Sequence, residues 1–199
     1  MKKLLPFSTA VLLLCFQTNS AQDVYHRNQS ADVLNYVFNL TLNDENNEIL
    51  GEASVTVGFK NEVENFTLDL IEKSAENNYG MVVTEVWEAD APANYTYADN
   101  KILINPTANS SKTKTFKIKY QGIPEKGLVI DTTKFGQRSF FGDNWPNLAR
   151  HWLPSVDHPY DKASVEFRIT APDHYDVVAT GAKIEESNLG NGLKLTHYK

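Results

Sequence analysis

The sequence predicts an all-β protein, a β-sandwich or saddle-shaped arrangement of mostly antiparallel sheets. Three observations carry that expectation. Short runs of alternating apolar and polar residues recur roughly every ten positions, and clusters of Asn, Asp, Gly and Pro punctuate them. Outside the N-terminal segment, no stretch carries a helical apolar stripe of useful length. At 199 residues the chain can bury a real core, and 41% hydrophobic with 22% charged residues excludes extensive disorder. No internal repeat is present.

Residues 1–21 stand apart. Lys2 and Lys3 precede an apolar run from Leu4 to Phe16 that only Pro6, Ser8 and Thr9 interrupt, and Gln17 to Ala21 is small and polar. The run is shorter than the ~20 residues a membrane-spanning helix needs. It reads as an export signal cut between Thr18 and Gln22, leaving 22–199 as one β-rich domain. After a polar entry, Leu34, Tyr36, Phe38, Leu40 and Leu42 alternate with polar neighbours, which predicts a half-buried strand. Turn chemistry over Asn43–Asn47 leads into Ala53, Val55, Val57 and Phe59, so the first two strands form a hairpin. Phe66–Leu70 and Met81–Trp87 read as the next strands. Tyr95–Tyr97 and Lys101–Ile104 flank Asp99-Asn100, a turn pair suited to a small hairpin. Phe116, Ile118 and Tyr120 oppose Thr115, Lys117 and Lys119, a strand with one wet face. Val165–Ile169, Tyr175–Ala179 and Leu193–His197 complete the set. Because the last alternation is still running at Lys199, the sequence predicts an interrupted chain whose final strand lies at a sheet edge.

Composition also limits function. The formal net charge of −6 becomes −8 once Lys2 and Lys3 leave with the signal, and no basic patch is visible. Nucleic acid is therefore excluded as a partner, and no membrane contact is expected after signal cleavage. The only cysteine, Cys15, lies inside the signal, so the mature chain offers no disulfide, thiol nucleophile or thiolate zinc ligand. Five Asn-x-Ser/Thr sequons occur, at Asn28, Asn39, Asn65, Asn94 and Asn109. A zinc hydrolase needs two His one helical turn apart, a third ligand and a general base. His26, His151, His158, His174 and His197 satisfy no such spacing. No phosphate loop, nucleophile elbow or Ser-His-Asp pattern is present either, so no catalytic residue and no metal ligand is assigned within the chain.

One stretch has neither helical nor alternating periodicity: Phe140 to Ala163. It packs Trp145, Trp152, Pro146, Pro154, Pro159, His151, His158, Arg150 and Lys162 between plain strands. Segments that costly to order serve something other than core filling. Its Arg150-His151-Trp152-Leu153-Pro154 core, Asp157-His158-Pro159 beyond it, and Lys162-Ala163 before a strand resemble the active-site wall segment of zinc aminopeptidases of the aminopeptidase N family. Tyr36, Gly51, and Lys119-Tyr120-Gln121-Gly122-Ile123-Pro124 followed by Gly127-Leu128 resemble that family's N-terminal domain, so the resemblance covers roughly Leu34 to Lys199.

The resemblance implies a β-rich domain packed on a downstream thermolysin-like catalytic domain. That domain carries Gly-x-Met-Glu-Asn and His-Glu-x-x-His, motifs absent here. It implies zinc in the full-length enzyme and peptide substrates that lose single N-terminal residues. A zinc-bound water attacks the first peptide bond there, with a Glu as base and a Tyr on the oxyanion. In the family a polar residue before the motif's Arg reaches the substrate's free amine. The matching positions are Asp143 and Trp145, and Trp145 departs from the pattern. Substrate binding then falls to Asp143 with Asn144 beside it; Asp143 also reads as a turn cap before Trp145-Pro146. Arg150, Asp157 and Lys162 read as structural, with Arg150 and Asp157 pairing beneath the loop. Trp145, Trp152 and Tyr160 read as interdomain packing, with the rings around Trp145–Trp152 partly uncovered when the partner domain is missing. Two other readings stand: a secreted non-catalytic β-sandwich that binds glycan or protein on an aromatic platform, and a family member that has lost its zinc site.

Overall fold

The structure, a computed structural model, describes residues 23, 25, 27–108 and 111–199. The expected export signal and Cys15 lie outside the described residues. Thirteen strands form in chain order: β1 (Ala31–Thr41), β2 (Ile49–Phe59), β3 (Phe66–Asp69), β4 (Gly80–Glu88), β5 (Ala91–Pro92), β6 (Asn94–Ala98), β7 (Lys101–Asn105), β8 (Thr113–Ile123), β9 (Leu128–Thr132), β10 (Arg138–Gly142), β11 (Ser164–Pro172), β12 (Lys183–Gly190) and β13 (Leu193–Tyr198). The helical content among the described residues is one 3₁₀ turn, Ala149–His151. The fold is all-β and mostly antiparallel, as the alternation predicts.

The main sheet runs β12-β13-β11-β1-β2-β8-β4-β5. Its pairs are antiparallel except β1 with β11, which run parallel from Asn35↔Ser164 to Thr41↔Thr170. The β1–β2 hairpin follows the expected pattern: Tyr36, Phe38 and Leu40 point inward and meet Val55, Ala53 and Gly51 of β2. A three-stranded sheet, β3-β7-β6, covers one part of this inner face. Phe66 meets Phe116 of β8 with ring centroids 4.9 Å apart. Leu68, Ile102 and Ile104 are fully buried beside it. The β6–β7 hairpin turns on Asp99 and Asn100, both at positive φ (54° and 59°), the conformation its two-residue primed turn requires. The β9–β10 ribbon packs over another part of the core through Leu128, Ile130 and Phe140.

Gly51 is where a side chain cannot be accommodated. A Cβ there would lie 2.2 Å from Cζ of Tyr120, whose ring fills that space.

Two expectations need correction. The final strand is not at an edge: β13 sits between β11 and β12, and β12 is the edge strand. β12 escaped notice because Lys183–Gly190 is exposed almost throughout and carries no apolar alternation; backbone pairing joins it to β13. Tyr175–Ala179 pairs with no strand and lies as an irregular segment. In β13, Thr196 and Tyr198 face the core beside Ile169 and Phe167. Leu195 shares the outer face with His197, Glu166 and Arg168, where Glu166 pairs with His197 (3.2 Å) and Lys199 (3.0 Å).

Candidate functional site

The aperiodic segment begins as β10 and leaves the ribbon at Gly142. The Asp143 amide donates to the carbonyl of Gly127 at 2.7 Å, so the segment stays tied to the chain that enters β9. Gly127 has φ +77°, and a Cβ there would meet the Leu148 carbonyl oxygen at 2.2 Å. Glycine is what lets the entry to β9 lie against the motif loop. Asn144 then turns the chain: its carbonyl accepts from the Leu148 amide (3.0 Å) and its Oδ1 accepts from Trp152 Nε1 (2.9 Å). Trp145 and Pro146 are joined by a cis peptide bond. The loop closes into the 3₁₀ turn that carries Arg150 and His151.

Beneath this turn lies a polar network. Arg150 donates from Nε to Asp157 Oδ2 at 2.9 Å, from its amide to the same oxygen at 3.1 Å, and from Nη2 to the Asp157 carbonyl at 3.0 Å. The expected Arg150–Asp157 pair therefore forms. Its third member, Asp69 at the end of β3, was not anticipated. Asp69 is 2% exposed. Its Oδ2 accepts from the Asp157 amide (3.1 Å) and from the Tyr25 hydroxyl, and lies 3.8 Å from Arg150 Nη2. Lys101 Nζ approaches its Oδ1 at 3.5 Å. Backbone bonds between Asp69 and Ser155 (2.7 and 3.2 Å) join the loop to β3. A buried carboxylate demands such partners, and an acid inside the apolar run Phe66-Thr67-Leu68-Asp69-Leu70 was the signal that could have revealed it.

The far end of the segment is also tied. The Tyr36 hydroxyl accepts from the Val156 amide (2.9 Å), and burial raises its pKa well above the ordinary tyrosine value. Asp161 Oδ2 accepts from the Val33 amide (3.3 Å), while burial raises its carboxyl pKa above the usual range. His158 stacks on Tyr25 with centroids 4.6 Å apart, and its Nε2 lies 3.3 Å from Asp23 Oδ1. Hydrogen bonding to Arg27 lowers the Asp23 pKa. His151 is buried, with Nδ1 3.6 Å from Glu125 Oε2; burial lowers its pKa below the ordinary histidine value, partly offset by Glu125.

The two histidines of the segment thus take different partners, and no group of three or more His, Cys, Asp or Glu among the described residues is placed to hold a metal.

Of the candidate substrate residues, Asp143 stands exposed on the turn. Its one side-chain contact among the described residues is a long bond from the Trp145 amide to Oδ1, 3.4 Å, at the limit of a useful cap. Asn144 is also exposed, but its acceptor is occupied by Trp152, which makes it a brace for the turn. The two tryptophans separate sharply: Trp145 is 82% exposed and Trp152 is 6% exposed. Trp152 is therefore packed within this domain, and the expectation of rings uncovered on both holds for Trp145 alone. Tyr160, half-buried, tilts against Tyr25 and His158. Lys162, expected to be structural, is exposed and makes no ion pair among the described residues.

The profile of the Peptidase M1 N-terminal domain matches residues 32–199. No curated protein matches the chain. Among solved structures, an M1 zinc metallopeptidase from Deinococcus radiodurans superposes with a TM-score of 0.69 at 23% identity, covering 85% of this chain and 38% of that one. A mutant M1 zinc metallopeptidase from the same organism, bound to a Tyr-Ser-Ala substrate, gives 0.69 at 24% identity, with 85% and 39% covered. Leukotriene A4 hydrolase from Saccharomyces cerevisiae gives 0.66 at 21% identity, with 85% and 27% covered. At these identities the likeness is one of fold, and the chain spans well under half the length of each of these proteins.

Proposed function

The chain belongs to the Peptidase M1 N-terminal domain family, and from that membership we propose that it forms one wall of the substrate cleft in an exported zinc aminopeptidase. The observation that carries this reading is the Asp143 turn. A carboxylate stands in solvent on a loop whose root is anchored by Gly127, Asn144–Trp152 and the Arg150–Asp157–Asp69 network. An anchored, otherwise uncommitted carboxylate suits the free ammonium group of a peptide N-terminus, through a charge-assisted hydrogen bond. The long Trp145–Asp143 contact favours this role over capping. Asn144 and Trp152 would hold the turn, and Arg150 would hold the loop under it.

Zinc and the general base belong to the downstream domain in this proposal, where zinc, when bound, would supply Lewis-acid chemistry for peptide hydrolysis. The contribution of this chain is to receive and orient the substrate amine, which sets how much of the peptide lies beyond the scissile bond. The 199-residue chain alone should neither bind stoichiometric zinc nor hydrolyse aminoacyl-nitroanilides; metal analysis after dialysis, with that assay, checks both. Export is proposed from Lys2, Lys3 and the short apolar run, with a cut between Thr18 and Gln22, so N-terminal sequencing of secreted material should find a start from Asn19 to Gln22.

The role of Asp143 is tested in the complete enzyme. Asp143→Ala should raise KM for free-amine substrates by a factor worth about 1–3 kcal/mol, with little change in unfolding midpoint. An unfolded variant with normal turnover per folded molecule would make Asp143 a turn cap and remove the substrate role. The non-catalytic alternative needs Trp145, Trp152 and Tyr160 as a shared exposed platform, and the burial of Trp152 weighs against it.

A further inference from the structure

Of all the asparagines in the chain, Asn191 alone is followed by glycine. It lies in the two-residue turn that joins β12 to β13, with Gly190 and Leu193 as the closing pair. The turn is loosely built for a hairpin. Gly190, Asn191 and Gly192 all have positive φ (80°, 53° and 73°), so a glycine stands on each side of the asparagine and its flanking torsions are free to move. A Cβ added at Gly190 or Gly192 would meet nothing within 4 Å, which places the turn in open space. The ladder is irregular just before it, with a register shift between Asn188 and Gly190, and the Gly190 amide bonds to the Asn188 side chain at 2.7 Å.

The reactive groups of this turn are uncommitted. Asn191 is exposed, and no hydrogen bond among the described residues engages its carboxamide or the Gly192 amide nitrogen. The Gly192 carbonyl, by contrast, is fixed by the Asp173 amide at 2.8 Å. Other asparagines lack one element or another. Asn78 and Asn100 share the left-handed backbone (φ 62° and 59°), but the next residue is Tyr79 or Lys101, whose Cβ hinders ring closure. Asn100 Oδ1 is also held by the Glu72 amide at 2.9 Å, and Asn144 Oδ1 by Trp152 at 2.9 Å. Free side chain, free nucleophile and glycine on both sides meet at Asn191.

We propose that Asn191 is a site of spontaneous covalent modification in the folded protein. The Gly192 backbone nitrogen attacks Asn191 Cγ and gives up its proton, a five-membered succinimide closes, and the side-chain nitrogen leaves as ammonia. Water then opens the ring at one of two carbonyls. Cleavage of the Cγ–N bond leaves an ordinary aspartate. Cleavage at the main-chain carbonyl leaves the backbone running through Cβ and Cγ, an isoaspartyl link. Both products carry a new carboxylate, and the isoaspartyl form adds one atom to the backbone. A two-residue primed turn closes between Gly190 and Leu193 only at its own length, so the longer link breaks that closure. β12 is the edge of the main sheet and pairs only with β13. The modification therefore frays the β12–β13 ladder from the turn inward and leaves the centre of the sheet as it is.

The test needs no substrate and is independent of the peptidase reading. Purified protein is aged at neutral pH and mapped by mass spectrometry. Asn191 should exchange amide for acid at least about 10-fold faster than any other asparagine, and should give two products of equal mass, aspartyl and isoaspartyl. Aged protein should lose hydrogen-exchange protection in β12 and the first residues of β13, while β1, β2 and β8 keep theirs. Freshly purified Asn191→Asp carries the charge without the extra backbone atom and should keep full protection; Asn191→Gln should resist ageing. If Asn191 persists in the folded protein while the urea-denatured chain converts there, the folded turn shields it and the proposal fails. Earlier conversion of another asparagine overturns it as well. Conversion with β12 fully protected would overturn the fraying of the ladder.

Discussion

The two halves of the aperiodic segment are built in opposite ways. From Arg150 to Asp161 the chain is tied to three distant places: β3 through Asp69, β1 through Tyr36 and Val33, and the N-terminal entry through the stack of His158 on Tyr25. From Phe141 to Trp145 it is held at its root, through the Asp143 amide and the Asn144 side chain, and its large side chains face solvent. The first half stabilises this domain by itself. The second is a surface whose shape is set from below and whose chemistry is left open. The pairing of a rigid base with an uncommitted rim is how a loop can bind a ligand without reorganising.

The contrast is broken most strongly at Asp69. Asp69→Ala leaves the Tyr25 hydroxyl and the Asp157 amide short of an acceptor in a mostly buried place and removes the carboxylate that faces the Arg150 guanidinium at 3.8 Å. Urea unfolding should show a loss of about 3–5 kcal/mol with an unchanged m-value. A loss below about 1 kcal/mol would mean that the backbone bridge to Ser155 holds the base without the carboxylate. The two tryptophans sharpen the comparison. Trp152→Phe forfeits the bond to Asn144 Oδ1 and some packing, and should cost about 1–3 kcal/mol. Trp145→Phe should leave the same curve within about 0.5 kcal/mol. Equal effects would erase the distinction between base and rim.

The smallest effect concerns protons. Burial holds His151 below the ordinary histidine pKa, against the pull of Glu125 and with Lys126 and Arg150 adding to the depression. The unfolded chain therefore binds more protons than the folded one as pH falls through about 6.5. Stability should decline from pH 7 downward until the folded imidazole itself protonates, then level off. His151→Gln should flatten that part of the profile, read as midpoint against pH; an unchanged slope would assign it to another group.

How much of this was legible in the sequence follows from where side chains report burial. β1, β2, β8 and β11 present one buried and one wet face, and their alternation places them without ambiguity. β12 is wet on both faces, so its residues carry no record of the pairing that holds it. β9 and β10 were hidden for another reason: Val129 (47% exposed) and Phe141 (65% exposed) are apolar residues in solvent, which blurs the alternation. At the site, the Arg150–Asp157 pair was readable because opposite charges flank one loop. Asp69 and Tyr25 were not, because their partners are remote in sequence. Asp143 and Asn144 were singled out together, and the structure separates them into a free carboxylate and a brace.

The parallel pairing of β1 with β11 has a further consequence, for the order in which the protein can form. Every other neighbour in the main sheet is antiparallel, and β1–β2 and β12–β13 join through short turns. Thr41 and Ser164, by contrast, bracket a connection of about 120 residues that must be in place before the sheet can close across its middle. During synthesis, β1 leaves the ribosome with one edge satisfied by β2 and the other waiting for a strand made much later. Until Ser164–Pro172 arrives, that edge is an unpaired row of donors and acceptors beside Tyr36, Phe38 and Leu40. The nascent chain is thus most exposed to misassociation during the time it takes to synthesise the intervening residues.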